Sequence, residues 1–279
     1  MTYLSRIRIN PLRAESRRLL ANPRAMRGAV MGGIPDAPQG DRVLWRLDAD
    51  NPRRPHLFVL TSAKPDWTHI VEKAGWPDAD GEHAAVRDYA PLLDQIAVGR
   101  EFAFRLTASP VQNTAAPMSP TPTQAARLAA AADSDSKRVR GFRLGHSTAS
   151  AQLNWFLTRT ARWGFDVPTA RTDAPAPGLA DSRTADDACN TEAGTEDVGP
   201  ARDIRITASR RHSFVKNGKG PRVTIQSATF EGRLQVTDPA AFVTRLLEGI
   251  GPSKAYGCGL LTLAPLRSRT TLQRPRPRP

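Results

Sequence analysis

The stretch FEGRLQVTDPAAFVTRLLEGIGPSKAYGCGLLTLAPL, residues 230–266, has the clearest element pattern in the chain. It begins with a predicted strand, Phe230–Val236, whose alternating apolar residues give it one buried face. Asp238 followed by Pro239 is a typical helix start, because aspartate caps the helix and proline fits its first position. Apolar residues then recur at helical spacing, and a short apolar strand, Leu260–Leu263, follows a glycine-rich loop. The order is therefore strand, helix, loop, strand.

The position of the loop disfavours nucleotide binding. Walker loops and dinucleotide fingerprints run from a strand into a helix, so that the helix N-terminus faces the phosphate. This loop follows a helix and leads into a strand, and it contains no Gly-Lys-Ser/Thr sequence. Its glycines either allow close backbone approach to another surface, or form a helix C-cap and a tight turn. The residues concerned are Gly249, Gly251, Gly257 and Gly259, with Lys254 among them.

Composition points to a polyanionic partner. The net charge is +13 and the pI is near 10.8, which suits nucleic acid or an acidic membrane surface. No apolar run is long enough to span a bilayer, and the N-terminus lacks the apolar core of a signal peptide. The two cysteines, Cys189 and Cys258, lie in unrelated contexts, which suggests reduced thiols in a cytoplasmic protein. They form no ligand pattern with the five scattered histidines, so neither a metal nor a cofactor is predicted.

Two halves of the chain predict the same order of elements. Residues 1–108 and 136–266 each indicate strand, helix, two strands, helix and strand, which is the ferredoxin-like order. The predicted fold class is therefore α+β, with two tandem ferredoxin-like domains. Residues 109–135 are predicted to be a linker, because they are rich in proline, threonine and alanine. An acidic insertion at about 168–200 and an arginine–proline tail, residues 267–279, are predicted to be disordered.

The individual elements follow from local patterns. In the first half, Asn22-Pro23 opens a helix over Arg24–Met31, and residues 77–88 suggest an irregular loop. The predicted strands of this half are Tyr3–Ile9, Val43–Leu47, Leu57–Leu60 and Glu101–Leu106. The second half is predicted to hold a strand at Lys137–Leu144, a helix at Thr148–Trp163, and two paired strands at Arg202–Phe214 and Val223–Val236.

The two paired strands predict a basic hairpin. Asn217-Gly218 between strands is a strong turn signal. Five basic or titratable residues surround it, which favours a nucleic-acid finger over a solvated turn: Arg210, Arg211, His212, Lys216 and Lys219. Arg138 and Arg140 alternate with apolar residues in the predicted strand Lys137–Leu144, and give that strand a cationic face.

Together these residues resemble one family. The stretch GIGPSKAYGCGLLTLAPL after FEGRLQV is similar to the C-terminal signature of the CasE family, the RNA-processing endonucleases of type I-E CRISPR systems. The N-terminal YLSRIRINP and RRLLANPRAM resemble the opening strand and first helix of that family, and VLWRLD and FRLTASP extend the match. The insertion and the tail lie outside it.

The resemblance implies a function that the residues alone do not. A CasE-like protein binds the stem-loop of a CRISPR repeat and cuts the precursor RNA 3′ of the stem without a metal. The ribose 2′-OH attacks the adjacent phosphate, leaving a cyclic phosphate and a 5′-hydroxyl. The implied partners are CRISPR repeat RNA and the other subunits of the surveillance complex Cascade, in which the protein remains on its product, with no membrane partner.

The catalytic positions depart from the family pattern. The family has a histidine on the first helix and a tyrosine three residues before it, and these positions match Arg27 and Arg24. An arginine stabilises negative charge but stays protonated, so it is no general base. Two other groups are candidates for proton transfer: His212, which alternatively contacts only backbone phosphate or solvent, and Tyr3, which alternatively only packs or stacks.

Three interpretations therefore follow. The first is an endoribonuclease with Arg27 and Arg24 as catalytic residues acting electrostatically. The second is a subunit that binds the crRNA 3′ stem-loop without cutting it. The third is a general binder of double-stranded RNA or of anionic membrane surfaces. The RNA-binding residues predicted for the first two are Arg210, Arg211, His212, Lys216, Lys219, Arg138, Arg140, Lys254, Gly251 and Gly257.

Overall fold

Two antiparallel sheets with the same internal strand order form the scaffold. The protein is described by a computed structural model over residues 1–35, 42–115, 117, 120, 122–132, 141–170, 201–215 and 222–266. The first unit comprises β1 (Tyr3–Arg8), α1 (Ala14–Ala21), α2 (Pro23–Met31), β2 (Leu44–Asp48), β3 (His56–Thr61), α3 (Thr68–Ala74) and β4 (Ala84–Asp88). Its strands lie in the order β2-β3-β1-β4, and each neighbouring pair is antiparallel.

The second unit follows a short helix, α4 (Ala90–Leu93). Its elements are β5 (Glu101–Ala108), β6 (Val111–Thr114), α5 (Pro122–Ala132), β7 (Phe142–Gly145), α6 (Ala149–Leu157), β8 (Phe165–Asp166), β9 (Ile204–Val215), β10 (Arg222–Val236), α7 (Pro239–Glu248) and β11 (Leu261–Ala264). The main sheet runs β11-β5-β10, and both β9 and β8 pair with β10. Across the first sheet, from β4 to β2, the strands lie in the order fourth, first, third, second. The second sheet, β11-β5-β10-β9, has the same order when β5, β9, β10 and β11 are counted as its first to fourth strands. The α+β, two-unit ferredoxin-like fold is confirmed.

The structure corrects the assignment of strands to the two halves. Residues 77–88 were predicted to be an irregular loop, but they contain β4, which pairs with β1 and completes the first sheet. The strand at Glu101 was predicted to be the fourth strand of the first half; it lies instead at the centre of the second sheet, between β10 and β11. The predicted boundary at residue 108 is therefore wrong, because the sheets change before Glu101.

The predicted linker and the strand after it also differ from the structure. The segment 109–135 contains β6 and α5, and β6 pairs with β7 in a separate two-stranded sheet. The strand predicted at Lys137–Leu144 is thus not the first strand of the second unit. Most of the predicted insertion, residues 171–200, and the whole tail, residues 267–279, lie outside the described residues.

Each unit has its own hydrophobic core, and the second core extends into the first unit. Helices α1, α2 and α3 cover one face of the first sheet through residues such as Met26, Val30 and Ile70. The second core contains a cluster of aromatic rings in which Phe156 stacks on Phe104 with a centroid distance of 5.6 Å. Leu44, Leu60 and Tyr89 of the first unit and its following segment are buried in this second core. The two units are therefore packed together through a common apolar region.

A buried arginine joins the two sheets. Arg46 on β2 is 1% exposed, and its guanidinium donates to both carboxylate oxygens of Asp48 at 2.7 and 2.9 Å. Its Nη1 also donates to two main-chain carbonyls of the second unit, those of Arg105 at 2.8 Å and Leu260 at 3.1 Å. Because main-chain carbonyls have fixed positions within a sheet, these bonds set how the first sheet lies against the second.

Candidate nucleic-acid interface

Helix α2 presents two arginines to solvent. The helix begins as predicted: the Asn22 side chain accepts a hydrogen bond from the Arg24 main-chain N–H at 3.0 Å, and Pro23 occupies the first helical position. Met26 and Val30 are buried beneath it, whereas Arg24 and Arg27 are exposed on the opposite face. The first turn of α2 contains no acidic residue. The apolar face therefore fixes the helix, and the charged face is available to a partner.

Arg27 lies in a cationic depression, which we call the Arg27 depression. It lies between α2 and the glycine-rich loop, has a volume of about 210 Å³, and is also lined by Arg42 and Lys254. The Lys254 ammonium donates to the Glu248 carbonyl at the end of α7 at 2.6 Å, and Arg42 Nη1 donates to the same carbonyl at 3.5 Å. Partial burial, and then the charge of Arg42, lower the pKa of Lys254. No carboxylate lies among the described residues that line this depression, so it suits an anion.

A second depression lies in the cleft between the units; we call it the His212 depression. It has a volume of about 80 Å³ and extends from the start of α2, at Pro23 and Met26, to the hairpin residues Arg210 and His212. Tyr256 closes it on the side of the glycine-rich loop. Burial, and then the charge of Arg210, lower the pKa of His212.

The hairpin formed by β9 and β10 separates the two arginines that were predicted to act together. The strands pair in register from Val215 opposite Arg222, and His212 lies opposite Ile225. Because side chains alternate along a strand, Arg210 and His212 face the cleft while Arg211 faces the other side. On that other side, the Ser209 hydroxyl accepts hydrogen bonds from Gln152 and Gln226. The structure therefore brings Arg210 and His212 together, but not Arg211.

The hairpin is held against the glycine-rich loop near its outer end. The Phe214 and Tyr256 rings lie 5.0 Å apart between centroids, with an interplanar angle of 54°. The tip of the hairpin, with Lys216, Lys219 and the predicted Asn217-Gly218 turn, lies outside the described residues, as do Arg138 and Arg140. The RNA contacts of these four basic residues remain predictions, as do those of the other predicted RNA-binding residues.

The glycine-rich loop serves mainly as a contact between the units. At Gly257, φ is +83°, and a Cβ added there would lie 2.7 Å from the Trp45 ring of the first unit. At Gly249, φ is +79°, and a Cβ would lie 2.7 Å from Leu44. Gly257 is buried, and Gly251 lies against Trp155. Both explanations given by the sequence are therefore observed: Gly249 caps the C-terminus of α7, and Gly249 and Gly257 allow close backbone approach to the first sheet.

Acidic residues at the cleft are paired. Asp50 lines the His212 depression, and its carboxylate forms an ion pair with Nη1 of Arg105. This hydrogen bond lowers the pKa of Asp50. Arg105 also contacts Glu231 at 2.9 Å and Asp48 at 3.4 Å. The negative charges are thus neutralised within the protein, and Arg210 remains directed into the cleft.

Several contacts at the site have no clear sequence signal. His69 Nε2 lies 2.9 Å from the Ala29 carbonyl and braces the last turn of α2 from α3. Arg42 joins Arg27 only through folding, since fifteen positions separate them in the chain. Tyr3 is partly buried in β1, and its hydroxyl donates to the Met1 sulfur at 3.6 Å, which favours a packing role for Tyr3 over proton transfer.

In the parts of the chain that the structure describes, no group of three or more potential metal ligands occurs, and no helix is long and apolar enough to cross a membrane.

Comparison with known proteins identifies the family. The family model described as "CRISPR associated protein" matches residues 2–265 of the chain. The chain belongs to this family. The CRISPR-associated endoribonuclease Cse3 of Thermus thermophilus is 27% identical over 266 residues, which cover 94% of this chain and all of that protein. The Cascade subunit CasE of Escherichia coli is 42% identical over 64 residues, 23% of this chain and 31% of that protein.

A solved structure extends the likeness to three dimensions. Thermus thermophilus Cse3, bound to an RNA representing a pre-cleavage complex, aligns with a TM-score of 0.59 and 25% identity, covering 95% of this chain and 99% of that one. The resemblance to the CasE family that the glycine-rich stretch indicated is therefore confirmed, and the chain is a CasE/Cse3-type member of the CRISPR-associated proteins.

Proposed function

We propose that this chain binds the stem-loop of a CRISPR repeat, cleaves the precursor RNA 3′ of the stem, and stays on its product as a Cascade subunit. The observation that carries the proposal is the Arg27 depression, which lies on the helix that bears the family's catalytic positions. Three cations converge there on a space of about 210 Å³. The similar proteins named endoribonuclease Cse3 and Cascade subunit CasE support both the reaction and the complex.

The proposed reaction is a transesterification within the RNA. The 2′-oxygen attacks the adjacent phosphorus, the bond from phosphorus to the 5′-oxygen breaks, and the products carry a cyclic phosphate and a 5′-hydroxyl. The phosphate gains negative charge in the transition state, and fixed cations stabilise it there. Arg27, Arg42 and Lys254 are suited to this role, and Arg24 and Arg210 to holding neighbouring phosphates.

A second candidate function is binding without cleavage. The observation that favours it is Arg27 itself, since a guanidinium does not accept the proton of the 2′-OH. Loss of general acid–base catalysis typically costs about 100- to 10,000-fold in rate. A subunit that only holds the 3′ stem-loop after another nuclease has cut would need the cationic surface but no base.

One assay separates the two functions. The purified chain is mixed in excess with the repeat RNA of its host's own CRISPR array in EDTA, and the ends of the product are identified over several hours. Cleavage to a cyclic phosphate supports the nuclease, whereas tight binding without product supports the binding subunit. The Arg27→His variant, tested beside it, should then gain cleavage if only the base is missing.

A competition experiment tests the remaining interpretation, that the chain is a general binder of double-stranded RNA or of anionic membrane surfaces. A scrambled hairpin of equal length and vesicles containing phosphatidylserine serve as competitors for the labelled repeat. If either competes as well as the unlabelled repeat, selective recognition of the repeat stem-loop is refuted. Affinity should fall steeply with salt in every case, because phosphate contacts release counterions.

A further inference from the structure

The proposed cleavage needs a proton acceptor that α2 does not supply. The 2′-OH must lose its proton as it attacks, and both exposed side chains at the family's catalytic positions are arginines. Among the described residues lining the Arg27 depression, the only other ionisable groups are Arg42 and Lys254, which are cationic and engaged with the Glu248 carbonyl. A base must therefore come from a neighbouring element.

The His212 depression contains one such group. His212 is the only histidine among the described residues that line it, and it is held at the floor of the cleft by the pairing of β9 with β10. The same depression is lined by Pro23 and Met26, which precede and follow Arg24 on α2. Tyr256 also lines this depression, and its neighbours Lys254 and Ala255 line the other one, so a single 3₁₀ turn borders both.

We propose that His212 is the general base of this chain, and that it accepts the 2′-OH proton while Arg27 and Lys254 stabilise the phosphate. This inference rests on the proposed endoribonuclease function. In the step, an imidazole nitrogen takes the proton, the 2′-oxygen bonds to phosphorus, and the bond to the 5′-oxygen breaks. The leaving oxygen takes a proton from solvent, and the imidazolium later returns its proton to solvent, so the reaction is balanced.

The groups around His212 suit this role. Burial of the ring, and then the charge of Arg210 two residues away on the same face of β9, lower the pKa of His212 and so favour the neutral imidazole. Asp50, a carboxylate in the same depression, is ion-paired with Arg105, and its lowered pKa makes it a weak proton acceptor. Cys258 is buried, with its pKa raised to about 12, and Tyr256 packs its ring on Phe214. Among the described residues that line the His212 depression, His212 is thus the one whose neutral form has an unprotonated nitrogen able to accept a proton near neutral pH.

The test is single-turnover cleavage of the repeat RNA in EDTA, with the full chain in excess. We expect His212→Gln and His212→Ala to cut about 100- to 10,000-fold more slowly than the unaltered chain. Their affinity for a repeat RNA with a 2′-deoxy sugar at the cleavage site should stay within about 2-fold, since a base acts on the proton and not on the phosphate. His146→Gln is the matched control, because His146 lines neither depression, and it should cut normally.

Two further readouts separate a base from a residue that only binds or folds. Added imidazole should restore cleavage by His212→Ala in proportion to its unprotonated fraction. The rate of the unaltered chain should fall on acidification below the ordinary histidine range, and this dependence should disappear in His212→Gln. Thermal unfolding of each variant confirms that it is folded.

The outcomes are distinct. If the unaltered chain does not cut, the proposed nuclease function fails and the inference fails with it. If the unaltered chain cuts but the variants cut equally well, or lose affinity in parallel with rate, His212 is not the base. If a repeat RNA with a sulfur at the 5′-leaving position restores the rate of His212→Gln, the residue acts as the acid, and our assignment of the base is overturned.

Discussion

Replacing Arg46 with methionine tests whether the buried guanidinium fixes the two units together. The change keeps much of the side-chain volume but removes all four hydrogen bonds, two to Asp48 and one to each carbonyl of Arg105 and Leu260. Asp48 keeps its contact with Arg105 at 3.4 Å, so the main loss is at the carbonyls and in the buried pair.

The expected loss of unfolding free energy follows from two separate costs of similar size. Two buried carbonyls would lose their guanidinium donor at a cost of about 1–3 kcal/mol each, with the Arg105 carbonyl at the lower end because it keeps a bond of 3.4 Å from the Thr262 hydroxyl. Breaking a buried ion pair by removing one partner costs about 3–5 kcal/mol. We therefore expect Arg46→Met to lower the free energy of unfolding by about 3–5 kcal/mol, a large part of the roughly 5–15 kcal/mol typical of a folded protein.

The assay is urea unfolding followed by tryptophan fluorescence, which reports on both units because Trp45 and Trp67 lie in the first and Trp155 and Trp163 in the second. Arg87→Met is the matched control: the Arg87 side chain is 70% exposed and pairs with Glu82, so its loss should cost less than about 1 kcal/mol. A loss at Arg46 no larger than that at Arg87 would refute the reasoning.

Three further predictions concern single residues. Gly257→Ala should cost about 1–3 kcal/mol more in unfolding free energy than Gly99→Ala, because both glycines have φ near +80° but only Gly257 faces a ring, Trp45, at 2.7 Å; equal costs in urea titrations would contradict the proposed close contact. In a Cys189→Ser background, Cys258 should not react with a thiol reagent at pH 8 until the protein unfolds, because burial raises the pKa of its thiol to about 12; rapid labelling of the folded chain would show that the site opens. Asp50→Asn should be less stable than the unaltered chain at pH 7, and the difference should shrink as the pH falls below 3.8, because the pKa of Asp50 is lowered in the folded state and its stabilisation is lost on protonation; a difference that persists at pH 2 in thermal unfolding would exclude the Arg105 ion pair as its cause.

The sequence predicted elements better than it predicted which sheet they join. Asn22 and Pro23 mark the start of α2 because capping is a local interaction, and Asp238 and Pro239 do the same for α7. By contrast, the alternation in β5 shows that a strand exists but not that Phe102 and Phe104 pack into the aromatic core of the second unit. That information lies in partners more than one hundred residues away.

Neither strand β4 nor the cleft-facing side of the hairpin could be predicted from the sequence, and the physical reasons differ. Strand β4 has a weak apolar pattern, because it lies at a sheet edge and pairs only with β1. In the hairpin, period-two alternation places Arg210 and Arg211 on opposite faces, but which face borders the cleft depends on how the second unit sits against α2. The burial of Arg46 likewise comes from the other unit, so nothing in its local sequence indicates it.

In the first turn of α2, the arginine proposed to bind RNA is unfavourable for the stability of the helix. A helix N-terminus carries a partial positive charge, which acidic side chains in the first turn stabilise and basic ones oppose. This turn carries Arg24 and no acidic residue. An acidic substitution at Arg24 should therefore make the folded protein more stable while making it bind RNA less tightly. A phosphate bound beside this turn would offset the repulsion between Arg24 and the partial positive charge of the helix N-terminus. Bound RNA would then contribute part of the stability of α2.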